Sequence, residues 1–414
     1  MFALFKSRSL RRLFLAHGQS ELGTGAAHVA LVLVAYHRLH SGWAIAVVLL
    51  ADYMPGIVLS TPFGALADRV SRRRLAVGAD LLRAAAFIAL AVISSFALTV
   101  ALALAAGIGT AMFRPAVTAA LPGLVTDEQR SPATALYGAL ISVGTTVGPA
   151  LTALVLLLGS PTLILGANGV TFLLSAMLLS GVPLGSGAQP LAHADSGPTR
   201  RSVWSSTVEG VRVAAGIPGV PALILICTVS ILAGGLMNVA EPLLAIGPLR
   251  AGSSGFSMLV AAYGSAMVAG SLMLTRAGSS VAGLRRRMLL GLTLEGLGMI
   301  GSATAPSLPW AVACFVLTGF GNAMLLGPAI RLYQELVSER LLGRITGLRY
   351  MLGNMAFVLA FVSAGAVLAA LGVRAVFALG GVAMVGPAVA GWLGFRPDRA
   401  VQPLPAAAEP ASAG

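Results

Sequence analysis

Twelve stretches of about twenty residues, nearly empty of charge and bounded by Arg, Gly or Pro, set what this chain can fold into. A helical run of that length matches the roughly 30 Å hydrocarbon thickness of a bilayer. The runs lie near 13–36, 43–67, 75–97, 100–122, 133–158 and 161–183, then 219–246, 255–275, 287–305, 309–331, 345–370 and 374–395. Lipid leaves backbone amides no partner except the chain itself, so only helices or a closed barrel can span it. A barrel would alternate polar and apolar residues with period two, and these runs do not. Only 10% of the 414 residues are charged and 57% are hydrophobic, against about 25% charged in soluble domains. The expected fold is an all-α integral membrane protein with twelve transmembrane helices.

The net charge of +13 does not point to nucleic acid, because the arginines cluster in short loops with no basic-aromatic run. With the N-terminus inside, all but five of the 27 Lys and Arg residues fall in cytoplasmic segments. Arg38, Arg250 and Arg374 are the outside exceptions, and Arg83 and Arg114 lie within spans. This bias predicts a cell inner (cytoplasmic) membrane protein with both termini cytoplasmic. The early basic residues Lys6, Arg8, Arg11 and Arg12 are followed by His17, Gln19 and Glu21 without a small-residue cleavage site, so the first helix is expected to be retained. Cys227 and Cys314 sit far apart in apolar runs and predict neither disulfide nor metal site.

The chain is expected to divide into a six-helix half over 1–183, a linker over 184–218, a second half over 219–395 and a disordered tail over 396–414. The linker opens with a Gly/Pro/Ser-rich stretch, 184–201. Trp204, Val208, Val211 and Ala215 then form an apolar stripe, and Ser206 with Glu209 a capping box, predicting a short helix on the inner membrane surface. The halves also repeat. Gly107-Ile-Gly109-Thr-Ala111-Met112 matches Gly319-Phe-Gly321-Asn-Ala323-Met324 at an offset of 212, and Leu124-Val125 matches Leu336-Val337 at the same offset. Pro115-Ala116 matches Pro328-Ala329 at 213, and Gly25 to Ala30 matches Gly235 to Ala240 at 210, pairing His28 with Asn238. Parallel repeats of this kind place a ligand site between the halves near mid-membrane.

Two motifs carry a family resemblance. The loop Gly64-Ala-Leu-Ala-Asp68-Arg69-Val-Ser-Arg72-Arg73-Arg74 resembles the loop signature between spans two and three of the major facilitator superfamily, with Ser71 where glycine is usual. Gly144-Thr-Thr-Val-Gly148-Pro149-Ala-Leu-Thr152-Ala153 resembles the antiporter motif of that superfamily, its last two glycines replaced. Phe113-Arg-Pro115-Ala116, Leu121-Pro122 and Leu342-Gly343-Arg344 are similar to the exporter branch of enterobactin and macrolide efflux proteins. The resemblance covers roughly residues 10–395. It implies the major facilitator fold, with spans one, four, seven and ten lining a cavity. Physically, Gly64, Gly144 and Gly148 let helices approach closely. Pro149 removes a backbone donor and weakens span five. Asp68, among Arg69, Arg72 and Arg73, can form a charge-assisted latch that holds an outward-open state.

Charges at membrane depth are costly and are functional candidates by default. Span one carries His17, Glu21, Thr24 and His28 on one face, and span seven answers with Ser230, Gly234, Asn238 and Glu241. Asp52 on span two and Arg114 on span four complete the set. The resemblance places His28, Arg114, Asn238 and Glu241 at the substrate, with Glu21 or Asp52 carrying a coupling proton in competition with Arg114 and a cationic substrate. The alternative is a structural Glu21–Arg114 or Asp52–Arg114 pair. Asp80 and Arg83 are expected to pair locally, and Glu295 on span nine to make a lateral helix contact.

These residues predict a secondary transporter, a proton-coupled antiporter exporting a small amphipathic molecule, acting as a monomer in the lipid bilayer without cofactor. An importer of a small nutrient is the second reading. A membrane enzyme acting on lipids is a third, although His17-Gly-Gln-Ser-Glu21 is the only His–acid cluster within the expected spans. No phosphate loop, paired-His metal motif or Ser–His–acid set is present.

Overall fold

A computed structural model describes residues 2–156, 159–185, 211–275 and 280–393, and among them it contains helices and turns but no sheet. Twelve helices are numbered here in chain order. The first half holds α1 (Arg8–Leu39), α2 (Gly42–Val58), α3 (Ser60–Ala67), α4 (Arg72–Val92), α5 (Phe96–Ala120), α6 (Asp127–Val155) and α7 (Pro161–Ser180). The second holds α8 (Val220–Ile246), α9 (Gly252–Thr275), α10 (Val281–Ala303), α11 (Leu308–Leu336) and α12 (Glu339–Leu393). Residues 211–216 are also helical, with Ala214 buried and Val211 exposed. The rest of the helix expected around Trp204 and Val208 lies outside the described residues, as does the tail after Arg396.

These helices make twelve crossings, and span two departs from the expected runs. Span two is broken at Leu59, so α2 and α3 share it, with Pro55 in the last turn of α2. Spans eleven and twelve are joined as α12, whose 55 residues include Gly372 at φ 76°, ψ 165°. That conformation is closed to residues with a Cβ. A helix of this length far exceeds one bilayer thickness, so the chain reverses there and crosses twice. Eight helical stretches are long and apolar enough to span a membrane by composition alone. The others have visible reasons: α1 carries His17, Gln19, Glu21, His28 and Arg38, α2 has 17 residues, and α10 carries Arg285, Arg286 and Arg287.

Glycine contacts reproduce the internal repeat in three dimensions. A Cβ on Gly107 would collide with the Asp52 carbonyl of α2, and one on Gly319 with the Tyr263 carbonyl of α9. A Cβ on Gly109 would strike Ala79 and Arg83 of α4, and one on Gly321 would strike Gly291 and Glu295 of α10. Ala79 and Gly291, like Arg83 and Glu295, are themselves 212 residues apart, so the same crossing is built twice. Helix α1 packs against α6 through Gly25, Gly144 and Gly148, with each missing side chain facing the other backbone. The corresponding α8–α12 crossing sets Gly235 against Phe357 and Ala360.

The halves meet along α2–α12 and α6–α9. Gly42 faces Leu243 and Leu368, Trp43 covers Gly365, Tyr53 meets Phe357 and Phe361, and Thr146 donates to the Gly264 carbonyl at 3.3 Å. An apolar core shared by both halves takes Val29, Val32, Leu33, Ile45, Ala46 and Leu49 from the first half. All lie toward the end remote from the arginine-rich loops. Near those loops the first half has a core of its own, built from residues such as Leu13, Phe113 and Leu179. Among the described residues the halves thus share a core at the far end and not at the arginine-rich end.

Gly148→Val should overpack the α1–α6 crossing and lower stability by about 1–3 kcal/mol, read as a lower thermal midpoint in detergent. Gly64→Ala, where a Cβ meets no atom within 4 Å, should unfold like the wild type. Equal midpoints for both variants would count against this packing.

Candidate functional site

The polar face of α1 begins with His17, whose side chain is 1% exposed. Its ring stacks on Tyr137 of α6 with centroids 4.0 Å apart and planes 1° from parallel, and its Nδ1 lies 3.7 Å from Glu21 Oε1. Neither ring nitrogen has a hydrogen-bond partner, and neither does the Tyr137 hydroxyl. Glu21 sits one turn further along, 12% exposed. Thr24 donates its hydroxyl to the Ser20 carbonyl at 2.8 Å and so offers a ligand only acceptor capacity.

Arg114 projects from α5 with its side chain exposed, although it stands well inside a helix that starts at Phe96 and ends at Ala120. Its charge is felt by Glu21, Asp52, Tyr53 and Tyr137. Among the described residues it forms an ion pair with neither carboxylate, so the static pair weighed as the structural alternative is not formed in this conformation. Arg83, one helix away, is committed instead. It pairs with Asp80 as the i, i+3 spacing expects, and its guanidinium lies between the rings of Phe113 and Phe172, 4.3 and 4.1 Å from their centroids. The structure thus gathers Glu21, Asp52 and Arg114 into one electrostatic group and leaves Arg114 as its uncommitted cation.

His28 stands further toward the far end of α1, half-buried, with its ring 6.0 Å from and edge-on to that of Tyr53. Tyr53 in turn contacts Phe357 and Phe361 of α12, with ring centroids 5.2 and 5.9 Å away. This aromatic cluster bridges the halves beside Asp52 and was missed by sequence reasoning. Its signals were Tyr53 next to an intramembrane acid and the i, i+4 pair Phe357 and Phe361. His17 and Tyr137 were likewise not singled out as site residues. Asn238 is half-buried on α8, whereas Glu241 is 5% exposed and only five residues from the far end of that helix. Glu241 is therefore buried near that end, where Tyr263 of α9 feels its charge, and stands apart from the Glu21–Asp52–Arg114 group.

The arginine-rich loop shows why its sequence departs from the usual signature. Ser71 caps α4, its hydroxyl accepting from the Arg74 amide at 3.4 Å, and its φ of −61° needs no glycine. Arg72 donates to the Ala119 carbonyl at 3.0 Å and Arg73 to the Ser180 carbonyl at 3.5 Å, capping the C-terminal ends of α5 and α7. Asp68 reaches Arg72 at 3.6 Å but is 67% exposed, and Arg69 is exposed. A Cβ on Gly64 would meet no atom within 4 Å, which corrects the expectation that it serves close helix approach here. It lies at the end where the halves do not share a core.

In the span-five motif, Gly144 and Gly148 face α1 within the same half, while Thr146 reaches across to α9. Thr152, standing where the antiporter pattern has glycine, donates to the Ala26 carbonyl of α1 at 2.9 Å. The lost glycine contact is replaced by an interhelical hydrogen bond. Helix α6 runs unbroken through Pro149, which is buried.

The chain matches the family model "Major Facilitator Superfamily" twice, over residues 13–227 and 223–413. It is 22% identical over 367 residues to macrolide efflux protein A of Streptococcus pyogenes, covering 86% of this chain and 88% of that protein. A macrolide efflux protein A from Enterococcus faecalis is 25% identical over 312 residues, covering 72% of this chain and 93% of that one. Among solved structures, the nucleoside transporter NupG aligns with a TM-score of 0.72 at 13% identity, covering 94% of this chain and 100% of that one. A peptide transporter POT aligns at 0.71 and 14% identity, covering 92% and 93%. With one family match on each half and twelve helical crossings arranged as a glycine-packed repeat, this chain belongs to the major facilitator superfamily of multi-pass membrane transporters.

Proposed function

We propose that this transporter is a proton-coupled antiporter that exports a small amphipathic molecule by alternating access. The observation that carries the reading is Arg114 within electrostatic reach of both Glu21 and Asp52 yet paired with neither. An unpaired carboxylate at membrane depth is costly when ionised and can accept a proton. A proton, Arg114 and a cationic substrate then compete for the same carboxylates. Binding one favours release of another, which is the coupling an antiporter needs. The names of the macrolide efflux relatives support export. Likeness to the nucleoside and peptide transporters rests on fold alone and does not bear on direction.

On the positive-inside rule the arginine-rich end is cytoplasmic, with both termini, in the inner membrane. The conformation described here, with the halves sharing a core only at the far end, is then inward-open. The halves over 1–183 and 219–395 rock as bodies about the linker over 184–218. His28 and Asn238 line the path at repeat-equivalent depths, and Glu241 enters it when the far end opens. In the outward-open state the exposed Asp68 engages across the closing arginine-rich end, with Gly64 giving the approaching helix room. One chain carries the complete path, so a monomer suffices.

Inside-out vesicles with an acidic lumen should accumulate macrolides or cationic dyes, and a protonophore should abolish the accumulation. Accumulation that survives the protonophore would overturn proton coupling. Of Glu21→Gln and Asp52→Asn, the variant lacking the coupling carboxylate should retain substrate exchange but lose ΔpH-driven accumulation. Two variants that both pump normally would place the proton elsewhere. Asp68→Asn should slow turnover roughly tenfold, about 1.4 kcal/mol of barrier, and leave substrate affinity largely intact. A large affinity loss at unchanged turnover would count against the latch.

A further inference from the structure

Glu295 lies at the middle of α10, 3% exposed, and makes the lateral contact its sequence position predicts. Its neighbours give that contact a second meaning. Oε1 accepts from Asn322 Nδ2 of α11 at 3.0 Å and from Ser230 Oγ of α8 at 3.4 Å. Oε2 has no partner at all. Among the described residues no arginine, lysine or histidine pairs with this carboxyl. The titratable groups that feel its charge are Tyr263 from α9 and Cys227 from α8, and neither is a cation. From α12, Gly381, Met384 and Val385 close over the adjacent Gly296 and bring no charge.

The repeat sharpens the contrast. The first-half counterpart of Glu295 is Arg83, which has Asp80 as counter-ion and two aromatic rings around its guanidinium. The second half carries the opposite charge at the same crossing with no counter-ion. An ionised carboxylate held there by two neutral donors would bear most of the cost of leaving water. A proton on Oε2 removes that cost, and Oε2 is the oxygen the protein leaves open.

We propose that Glu295 is a second proton-binding site, placed behind the cavity, whose occupancy sets how tightly α8 and α11 are held to α10. The proton binds Oε2 to give a neutral carboxylic acid. Its departure leaves a carboxylate whose hydrogen bonds from Ser230 and Asn322 become charge-assisted and stronger. Both donors stand on the two helices of the second half that line the cavity, so proton occupancy alters the wall that substrate meets. This coupling role rests on the antiport reading above; the binding site itself does not.

The test is infrared difference spectroscopy of the full-length protein in lipid, titrated from neutral to alkaline pH, for wild type and Glu295→Gln. The amide keeps an acceptor for both donors, so the variant should unfold at the wild-type temperature. The expected result is a protonated-carboxylic-acid carbonyl band that vanishes with rising pH in the wild type and is missing from the variant. The same band in both proteins, or no titrating band in the wild type, would overturn the site. Should Glu295→Gln fail to fold, Asn322→Leu serves instead: removing the donor to Oε1 should move the band to higher frequency, and an unmoved band would overturn the assignment. In proteoliposomes Glu295→Gln should lower the protons moved per substrate, and an unchanged ratio would overturn the coupling role. Absence of proton-driven transport in the wild type would instead refute antiport, with the infrared result still deciding the site.

Discussion

Close approach of helices at glycine holds this protein together, because lipid supplies no hydrophobic drive for one apolar helix to prefer another. Van der Waals contact must replace it, and contact is largest where backbones touch. At Gly107, Gly319 and Gly321 a single methyl group would overlap the backbone of the facing helix, and at Gly109 it would overlap the Arg83 side chain. These pairs fix α5 on α2 and α4 in one half and α11 on α9 and α10 in the other. The remaining geometry follows, since helices locked at this distance can move only as a group. Two rigid bodies joined mainly at one end are what alternating access requires.

Polar groups then occupy what the glycine contacts leave, and five arginines serve helix ends. Arg72 and Arg73 close the carbonyl ends of α5 and α7, Arg12 donates to the Gly181 carbonyl at 3.1 Å, and Arg374 reaches the Ala305 carbonyl at 3.1 Å. Arg38 caps the Ile93 carbonyl in the same manner. Arg38 and Arg374 are two of the three arginines at the end remote from the arginine-rich loops. Their carbonyl partners, Ile93 and Ala305, stand 212 residues apart, so the repeat extends to its exceptions. A cation bound to a helix C-terminus interacts favourably with the helix dipole and leaves a neighbouring carboxylate free.

Much of this was legible because membrane helices are written in run length and charge, which survive without tertiary information. The offset of 212 was readable for the same reason: glycines at backbone contacts tolerate no substitute and stay recognisable in both halves. Leu59 was harder, because a break within a span changes neither length nor hydropathy, whereas the reversal at Gly372 falls in the gap expected between spans eleven and twelve. The roles of Gly64 and Thr152 depended on which face meets a neighbour, and sequence gives helical phase but not the partner. Tyr53, Phe357 and Phe361 escaped because aromatic residues in apolar runs look like ordinary core, and what distinguishes them is a meeting between residues about three hundred positions apart.

The two halves share a scaffold but differ in how they treat charge at the same point. In the first, Arg83 is neutralised by Asp80 and sheltered between rings, so its charge is permanent and its role is to hold α4 against α5 and α7. On the proposed reading the variable charges of that half lie instead on the cavity side, at Glu21 and Asp52 within reach of Arg114. In the second, the scaffold position itself would carry a variable group, Glu295, while α8 presents Asn238 and, nearer the far end, Glu241. A substrate entering between the halves would thus meet direct charge competition on one wall. The opposite wall would be adjusted from behind through Ser230 and Asn322. On the antiport reading, equivalent backbones with titratable groups at different positions in each copy would let one proton gradient act on both sides of a single cavity.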